Sequence, residues 1–201
     1  MVKIVGIATS ARKNQATEFF LKEALQAAKN TGLVETQFYS LGSLKFMGCM
    51  ACDYCKTHPH CSQNDDLYPI IEDLKDPQIQ GILLATPVYM GNMSWQAKAF
   101  LDRSVLFRRH NFLWKNKIGA AIAVGGSRNG GQELAQTSIL TSFMLHDMIL
   151  IGDKNPTAHF GGCGWERYPE GYQKDAIALE SVRATGIKLA ETVALLKNTN
   201  K

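Results

Sequence analysis

The 201-residue sequence has little excess charge of either sign: 22 lysines and arginines stand against 18 aspartates and glutamates, a net charge of +4. Apart from Arg108 and Arg109 the basic residues are scattered, so the chain lacks the dense positive patch that nucleic-acid binding needs. Long apolar runs are missing too. The longest, such as Ile118–Val124, fall far short of the roughly 20 residues that span a bilayer, so no membrane segment is expected. Met1 leads directly into the strand-like Val2–Ala8, without the order of basic, hydrophobic and cleavage regions that marks a signal peptide, and a cytoplasmic protein is expected. With 45% hydrophobic and 20% charged residues, no internal repeat and this length, one folded domain over residues 1–201 is expected.

Cysteine is scarce as well, with five in the chain, but four of them fall between Cys49 and Cys61. In a reducing compartment such clustering points to metal or redox chemistry rather than to a disulfide framework.

Short runs of small and β-branched apolar residues recur at Lys3–Ala8, Gly81–Ala85, Ile118–Val124 and Met148–Ile151, with a more alternating run at Val34–Tyr39. Such runs suit strands buried on both faces of a parallel sheet, the last of these at its edge. Helical spacing over Ala16–Asn30, and again from Ala178 to Leu196, predicts amphipathic helices. Further helices are expected at Asp66–Leu74, Ser94–Val105 and Gln132–His146. Five alternating strand and helix units predict an α/β fold, a flavodoxin-like doubly wound five-stranded parallel sheet with helices on both faces. Two stretches exceed a minimal version: Gly42–Asn64, a cysteine-rich loop insertion, and about residues 153–173, a long irregular loop expected to act as a lid or subunit contact.

Ligands of doubly wound sheets sit beyond the carboxyl ends of the strands, which singles out three loops. In the first, Thr9–Thr17, the hydroxyls of Ser10 and Thr17, the Arg12 guanidinium, Asn14 and the amides at a helix start compose an anion site. The same residues would equally serve as helix caps and a solvated turn. The loop has neither the GxGxxG of a dinucleotide fold nor the GK of a Walker loop, so a phosphate monoester is the better match. In the second, Thr86–Ser94, Pro87 and Gly91 shape a turn, Val88 and Met90 supply backbone amides and Tyr89 an aromatic face. In the third, Gly125–Gln132, Gly125, Gly126, Gly130 and Gly131 let backbone amides approach a ligand closely, beside Arg128. A phosphate site beside a planar ring describes FMN.

Cys49-x-x-Cys52-x-x-Cys55, followed by Cys61, aims several thiolates at one centre. A four-iron, four-sulfur (4Fe-4S) cluster uses this spacing in ferredoxin-type segments, although there the fourth cysteine comes after three residues and precedes proline. Zinc is the alternative, held by Cys49, Cys52 and Cys61 with His58 or His60, but it gives the third cysteine of the run no role. Asp65 and Asp66 are expected to open the next helix, where acidic side chains favour the dipole, and Arg108, Arg109 and His110 to close a helix as C-terminal cations. Cys163 is expected to be an unpaired thiol, and His146 and Asp147 to cap or pack a helix-to-strand junction. No side chain is required as a proton donor, because flavin chemistry resides in the cofactor.

SARKNQAT, TPVYMGNMS and GGSRNGGQE resemble the phosphate loop and the two ring-binding loops of the NADPH-dependent FMN reductase group, and the cysteine segment resembles its iron-sulfur flavoproteins. The resemblance runs from Lys3 to about Ile151; Ala11 and Ala16 replace the proline and asparagine usual in the phosphate loop, so one phosphate contact is expected to be missing. It implies one FMN, and one 4Fe-4S cluster on Cys49, Cys52, Cys55 and Cys61. It also implies ferredoxin or another one-electron donor, a small-molecule acceptor such as oxygen or hydrogen peroxide, and homodimers that pair into homotetramers. Two other functions fit the same residues. One is a direct NAD(P)H-dependent FMN or quinone reductase with a structural or zinc-binding cysteine loop; the other is a non-enzymatic metal-binding or redox-sensing protein.

Overall fold

The computed structural model describes residues 2–199. In chain order its elements are β1 (Lys3–Ala8), α1 (Ala16–Asn30), β2 (Glu35–Ser40), α2 (Tyr68–Asp73), β3 (Ile79–Pro87), α3 (Trp95–Arg103), α4 (Val105–Arg109), β4 (Ile118–Gly125), α5 (Gln132–Met144), β5 (Ile149–Leu150), β6 (Gly162–Trp165) and α6 (Ala176–Thr199). All strands pair in parallel in the order β2-β1-β3-β4-β5, with β6 also on β4. This is the expected doubly wound order, with helices on both faces.

The apolar strands are continuous in sequence yet divide their side chains by parity. Ile4 and Ala8 of β1 join a core with Phe20, Leu21 and Ala24 of α1 and Val182 and Leu189 of α6. Val5 and Ile7, pointing the other way, join Phe100, Phe107, Trp114 and Phe143. Leu21, Phe100 and Phe107 are fully buried, each a gain of about 1.5–3 kcal/mol over exposure. The contact of α1 with α6 depends on Gly186, where a Cβ would lie 2.0 Å from the carbonyl oxygen of Ala24.

The sheet's fifth position differs in detail from the single run Met148–Ile151. β5 pairs Ile149 and Leu150 with Ile118 and Gly119, and β6 pairs Gly162–Trp165 with Ile122–Gly125, so the two occupy successive lengths of the same edge of β4. Between them the chain leaves the sheet in a loop closed by the buried Asp153 carboxylate, which accepts from the His159 amide and the Thr157 hydroxyl. It returns at Gly161, whose φ of +155° and 2.2 Å approach of a Cβ position to the Ala121 oxygen leave room for glycine alone. The stretch 153–173 is thus not irregular throughout. It delivers Trp165, Glu166 and Tyr168 to the carboxyl end of the sheet.

The helix expected over Ser94–Val105 breaks in two. Ser94 caps α3, its hydroxyl accepting from Ala97 N at 3.2 Å and donating to the Thr9 carbonyl at 2.7 Å. At the other end Ser104 donates to the Leu101 carbonyl at 2.6 Å and hydrogen-bonds His146 Nε2 at 2.8 Å, and α4 starts from it. No helix among the described residues is long and apolar enough to cross a membrane.

Candidate functional site: a loop cradle and a cysteine cavity

The three loops singled out from sequence lie side by side at the carboxyl ends of β1, β3 and β4. In the first, Ser10 is buried and its hydroxyl accepts from the Arg12 amide at 3.1 Å. Asn14 takes a left-handed φ of +55° and its amide donates to Glu18 Oε2 at 2.9 Å. Glu18, buried beside Thr17, also accepts from the Ser40 hydroxyl at 2.5 Å, so one side chain ties this loop to β2. Arg12 is half exposed and ion-paired with Glu166, which follows β6.

In the second loop the backbone of Tyr89 and Asn92 exchanges two hydrogen bonds of 2.9 and 3.0 Å around Met90 and Gly91, with φ of +51° and +72°. Positive φ at both central residues is the tight primed turn that glycine at the second position favours. It leaves Tyr89 half exposed and Met90 wholly exposed at its tip. The Val88 amide donates to the Val124 carbonyl at 2.9 Å, which fixes the turn to β4 below Pro87.

The third loop is stitched by Gln132. Its side chain accepts from Gly130 N at 2.8 Å and donates to Ser127 O at 2.6 Å and Gly164 O at 3.3 Å. Gly131 touches Gly91, where a Cβ would approach to 3.2 Å, so the second and third loops form one wall. Trp165 Nε1 donates to the Gly126 carbonyl at 3.0 Å, and Arg128 lies over the Trp165 ring at 5.2 Å while pairing with the buried Asp175 at 2.9 Å. Trp165, Glu166 and Asp175 lie outside the three loops singled out from sequence, and Gln132, the last residue of the third, has no role assigned to it there. Their roles come from contacts across the chain, and an aromatic after a glycine-rich stretch is the one local hint.

Away from this cradle, residues 42–67 fold over α3 and α4 with a single 3-10 turn at Tyr54–Lys56. Left-handed φ values at Ala51 (+53°) and Asp53 (+59°) turn the chain sharply on either side of Cys52. Cys49, Cys52, Cys55 and Cys61 all line one cavity, which Val105, Leu106, Arg103 and Arg109 close from the helix side. Among the described residues, no three His, Cys, Asp or Glu side chains converge as ligands of a single metal ion. The Ser62 hydroxyl, 3.1 Å from Cys52 Sγ, and the Tyr54 amide hold the Cys52 thiol below its ordinary pKa. Arg109 Nη1 donates to Cys55 Sγ at 3.1 Å. Phe46 tilts against Trp95 at 5.3 Å, joining this segment to the end of the second loop.

Several expectations about the flanking residues change. The helix begins at Tyr68, and Asp65 and Asp66, just before it, also serve the cysteine segment. Asp65 still serves the turn into the helix, accepting from Leu67 N at 3.2 Å, and also binds Arg103 Nη1 at 2.5 and 2.7 Å and accepts from Met47 N, while Asp66 accepts from Lys45 N at 2.8 Å. Arg108 does cap a helix end, donating to the Leu145 carbonyl, but Arg109 and His110 turn to the cysteines. His110 Nε2 lies 3.0 Å from Cys55 O and 2.7 Å from His58 O. His58 stacks on Tyr54 at 3.9 Å, and His60 lies 3.2 Å from the Tyr54 hydroxyl. His146 is buried as a packing residue, its pKa pushed down to about 4 by burial and by Arg108. Cys163, on β6, is pushed up to about 11 by burial, which makes it an inert thiol.

Known proteins agree with this architecture. The NADPH-dependent FMN reductase family matches residues 2–161. An iron-sulfur flavoprotein of Methanosarcina thermophila is 42% identical over 201 residues, the whole of both chains. One of Methanocaldococcus jannaschii is 41% identical over 196 residues, 98% of this chain and all of the relative. In fold, the chain resembles a flavodoxin, WrbA-like protein from Agrobacterium tumefaciens, with a TM-score of 0.69 at 15% identity over 97% of this chain and 99% of that one. The chain belongs to the iron-sulfur flavoprotein family within the NADPH-dependent FMN reductase group, and is an FMN-dependent oxidoreductase of the electron-transferring kind.

Proposed function

We propose that this protein carries electrons between a one-electron donor such as ferredoxin and a two-electron acceptor, through a 4Fe-4S cluster on Cys49, Cys52, Cys55 and Cys61 and an FMN in the three-loop cradle. The observation that carries the reading is the common cavity of the four thiols, all supplied by one loop. The donor set fits the cluster. A cluster takes one cysteine per iron and so uses all four thiols that line the cavity, whose lining, among the described residues, includes no histidine for a mixed zinc site. The buried Arg103 Nε–H, without a partner at the cavity wall, is a spare donor for a sulfur-rich guest.

When bound, FMN exchanges electrons singly or in pairs and the cluster one at a time, which is what joins the two kinds of partner. The chain's own residues place these groups. Ser10, Arg12, Asn14 and Thr17 hold the phosphate, with Glu166 orienting Arg12. Pro87, Val88, Tyr89, Met90 and Gly91 on one side, and Gly125, Gly126, Arg128 and Gly130 on the other, hold the ring. The exposed Tyr89 and Met90 at the tip suit a second subunit, in keeping with a homodimer or homotetramer, and the acceptor is a small molecule such as oxygen, hydrogen peroxide or a quinone.

Anaerobic stopped-flow with chemically reduced ferredoxin tests the reading. The bound flavin should be reduced in the native protein and at least tenfold more slowly in Cys52→Ser. Equal rates in both, with rapid NAD(P)H oxidation by the iron-free variant, would establish a direct NAD(P)H-dependent reductase instead.

A further inference from the structure

The cysteine cavity is lined by two arginines that no cysteine motif contains. Arg103, at the end of α3, has a fully buried side chain whose charge is met by Asp65 on Nη1, while Nη2 donates to Gln63 O at 3.1 Å. It is an anchor with little net charge. Arg109, at the end of α4, is arranged differently. Its Nη1 donates to Cys55 Sγ at 3.1 Å and its Nη2 to Asp53 Oδ1 at 2.9 Å. The Asp53 side chain is 52% exposed and also meets Lys56, so solvent and a second cation screen it, whereas the guanidinium is 27% exposed and faces a thiol.

We propose that Arg109 is a redox-positioning residue: its guanidinium, hydrogen-bonded to the Cys55 sulfur, raises the reduction potential of the cluster and so shifts electrons toward it from the FMN. The inference rests on the assignment of the four cysteines as cluster ligands. Each electron added to a cluster increases the negative charge shared by iron, sulfide and thiolates. A fixed cation donating to one of those sulfurs therefore stabilises the reduced form more than the oxidised one. Arginine suits the task because its rigid planar fork reaches Cys55 Sγ through Nη1 and Asp53 Oδ1 through Nη2, a pre-organised pair of donors where lysine has a single nitrogen on a flexible stem. His110 acts beside it on the carbonyls of Cys55 and His58, fixing the loop's path rather than its charge. The helix break at Ser104 makes the arrangement available, since α4 ends against the cysteine segment.

Redox titration followed by electron paramagnetic resonance, on native protein, Arg109→Gln and Arg109→Lys with iron, sulfide and FMN measured on the same samples, tests this. In a fully loaded Arg109→Gln protein the ratio of reduced to oxidised cluster at a given potential should fall at least about tenfold, which for one electron is 59 mV. Arg109→Lys should fall less, and the FMN midpoint should stay unchanged. An unchanged cluster potential in loaded Arg109→Gln would overturn the role of Arg109 and leave the ligands standing. Native protein holding FMN but no iron and sulfide would overturn the ligand assignment and the inference with it. Should Arg109→Gln not retain its cluster, native protein labelled with ¹⁵N-arginine decides. Hyperfine coupling of the reduced cluster to an arginine nitrogen, lost in Arg109→Lys, supports the inference, and its absence in native protein overturns it.

Discussion

The loops 9–17, 86–94 and 125–131 take their places from the strands that run into them, whereas residues 42–67 take theirs from a few side chains on α3 and α4. Val88 N bonds to Val124 O, Thr9 N to Ala85 O and Gly131 rests on Gly91, so the cradle is a continuation of the sheet's backbone. The cysteine segment has almost no regular structure and is held by Asp65 on Arg103, Asp53 and Cys55 on Arg109, and Cys55 and His58 on His110. The first kind of site comes with the topology. The second is held by side-chain contacts, with Phe46 and Leu67 seated in the core, so the two regions should respond separately to mutations at those contacts.

The largest separation is expected from Cys52→Ser, which should abolish iron and sulfide binding while FMN stays bound; joint loss of FMN would show that the two regions are not independent. Arg103→Met comes next. It leaves Asp65 without its buried partner, at a cost of about 3–5 kcal/mol, and should release the cysteine segment before the cradle in hydrogen-exchange measurements.

Acid offers a third way to sharpen the comparison, because His146 supports Ser104 at the break between α3 and α4. Burial lowers its pKa from 6.5 in the unfolded chain to about 4 in the fold, so the neutral ring is the form the fold favours. Its contribution is complete above pH 6.5 and is lost as pH falls from there toward 4, by roughly 3 kcal/mol. Thermal unfolding of His146→Gln should lack that part of the pH dependence, and an identical slope would remove His146 from the account. Arg12→Ala should weaken FMN by about 1.5–3 kcal/mol with iron content unchanged, as read by flavin fluorescence on titration. The smallest effect is expected at Cys163, whose raised pKa and burial make Cys163→Ser neutral for iron, sulfide and FMN alike.

The contrast between the regions also explains what could be read without a structure. β1, β3 and β4 are buried on both faces, so their apolar runs mark them within two residues, and the two-row face of α1 gives its bounds outright. The cysteine spacing is local and equally legible. β6 is not, because Gly-Cys-Gly-Trp is short and glycine-rich and pairs only because the chain returns to an open edge of β4. Ser104 at the break meets a histidine far along the chain, and Arg109, a helix-end cation by position, meets Cys55 only through the fold. Glu166 and Asp175, which hold the cradle's two arginines, are likewise set by long-range contacts that no spacing encodes.

The most direct test of the central claim is the content of protein purified without oxygen: iron, acid-labile sulfide, zinc and FMN per chain. The account predicts about four irons, four sulfides and one FMN, with zinc absent. One FMN accompanied by zinc, or by no metal, would contradict it and leave a flavin reductase whose cysteine loop is structural.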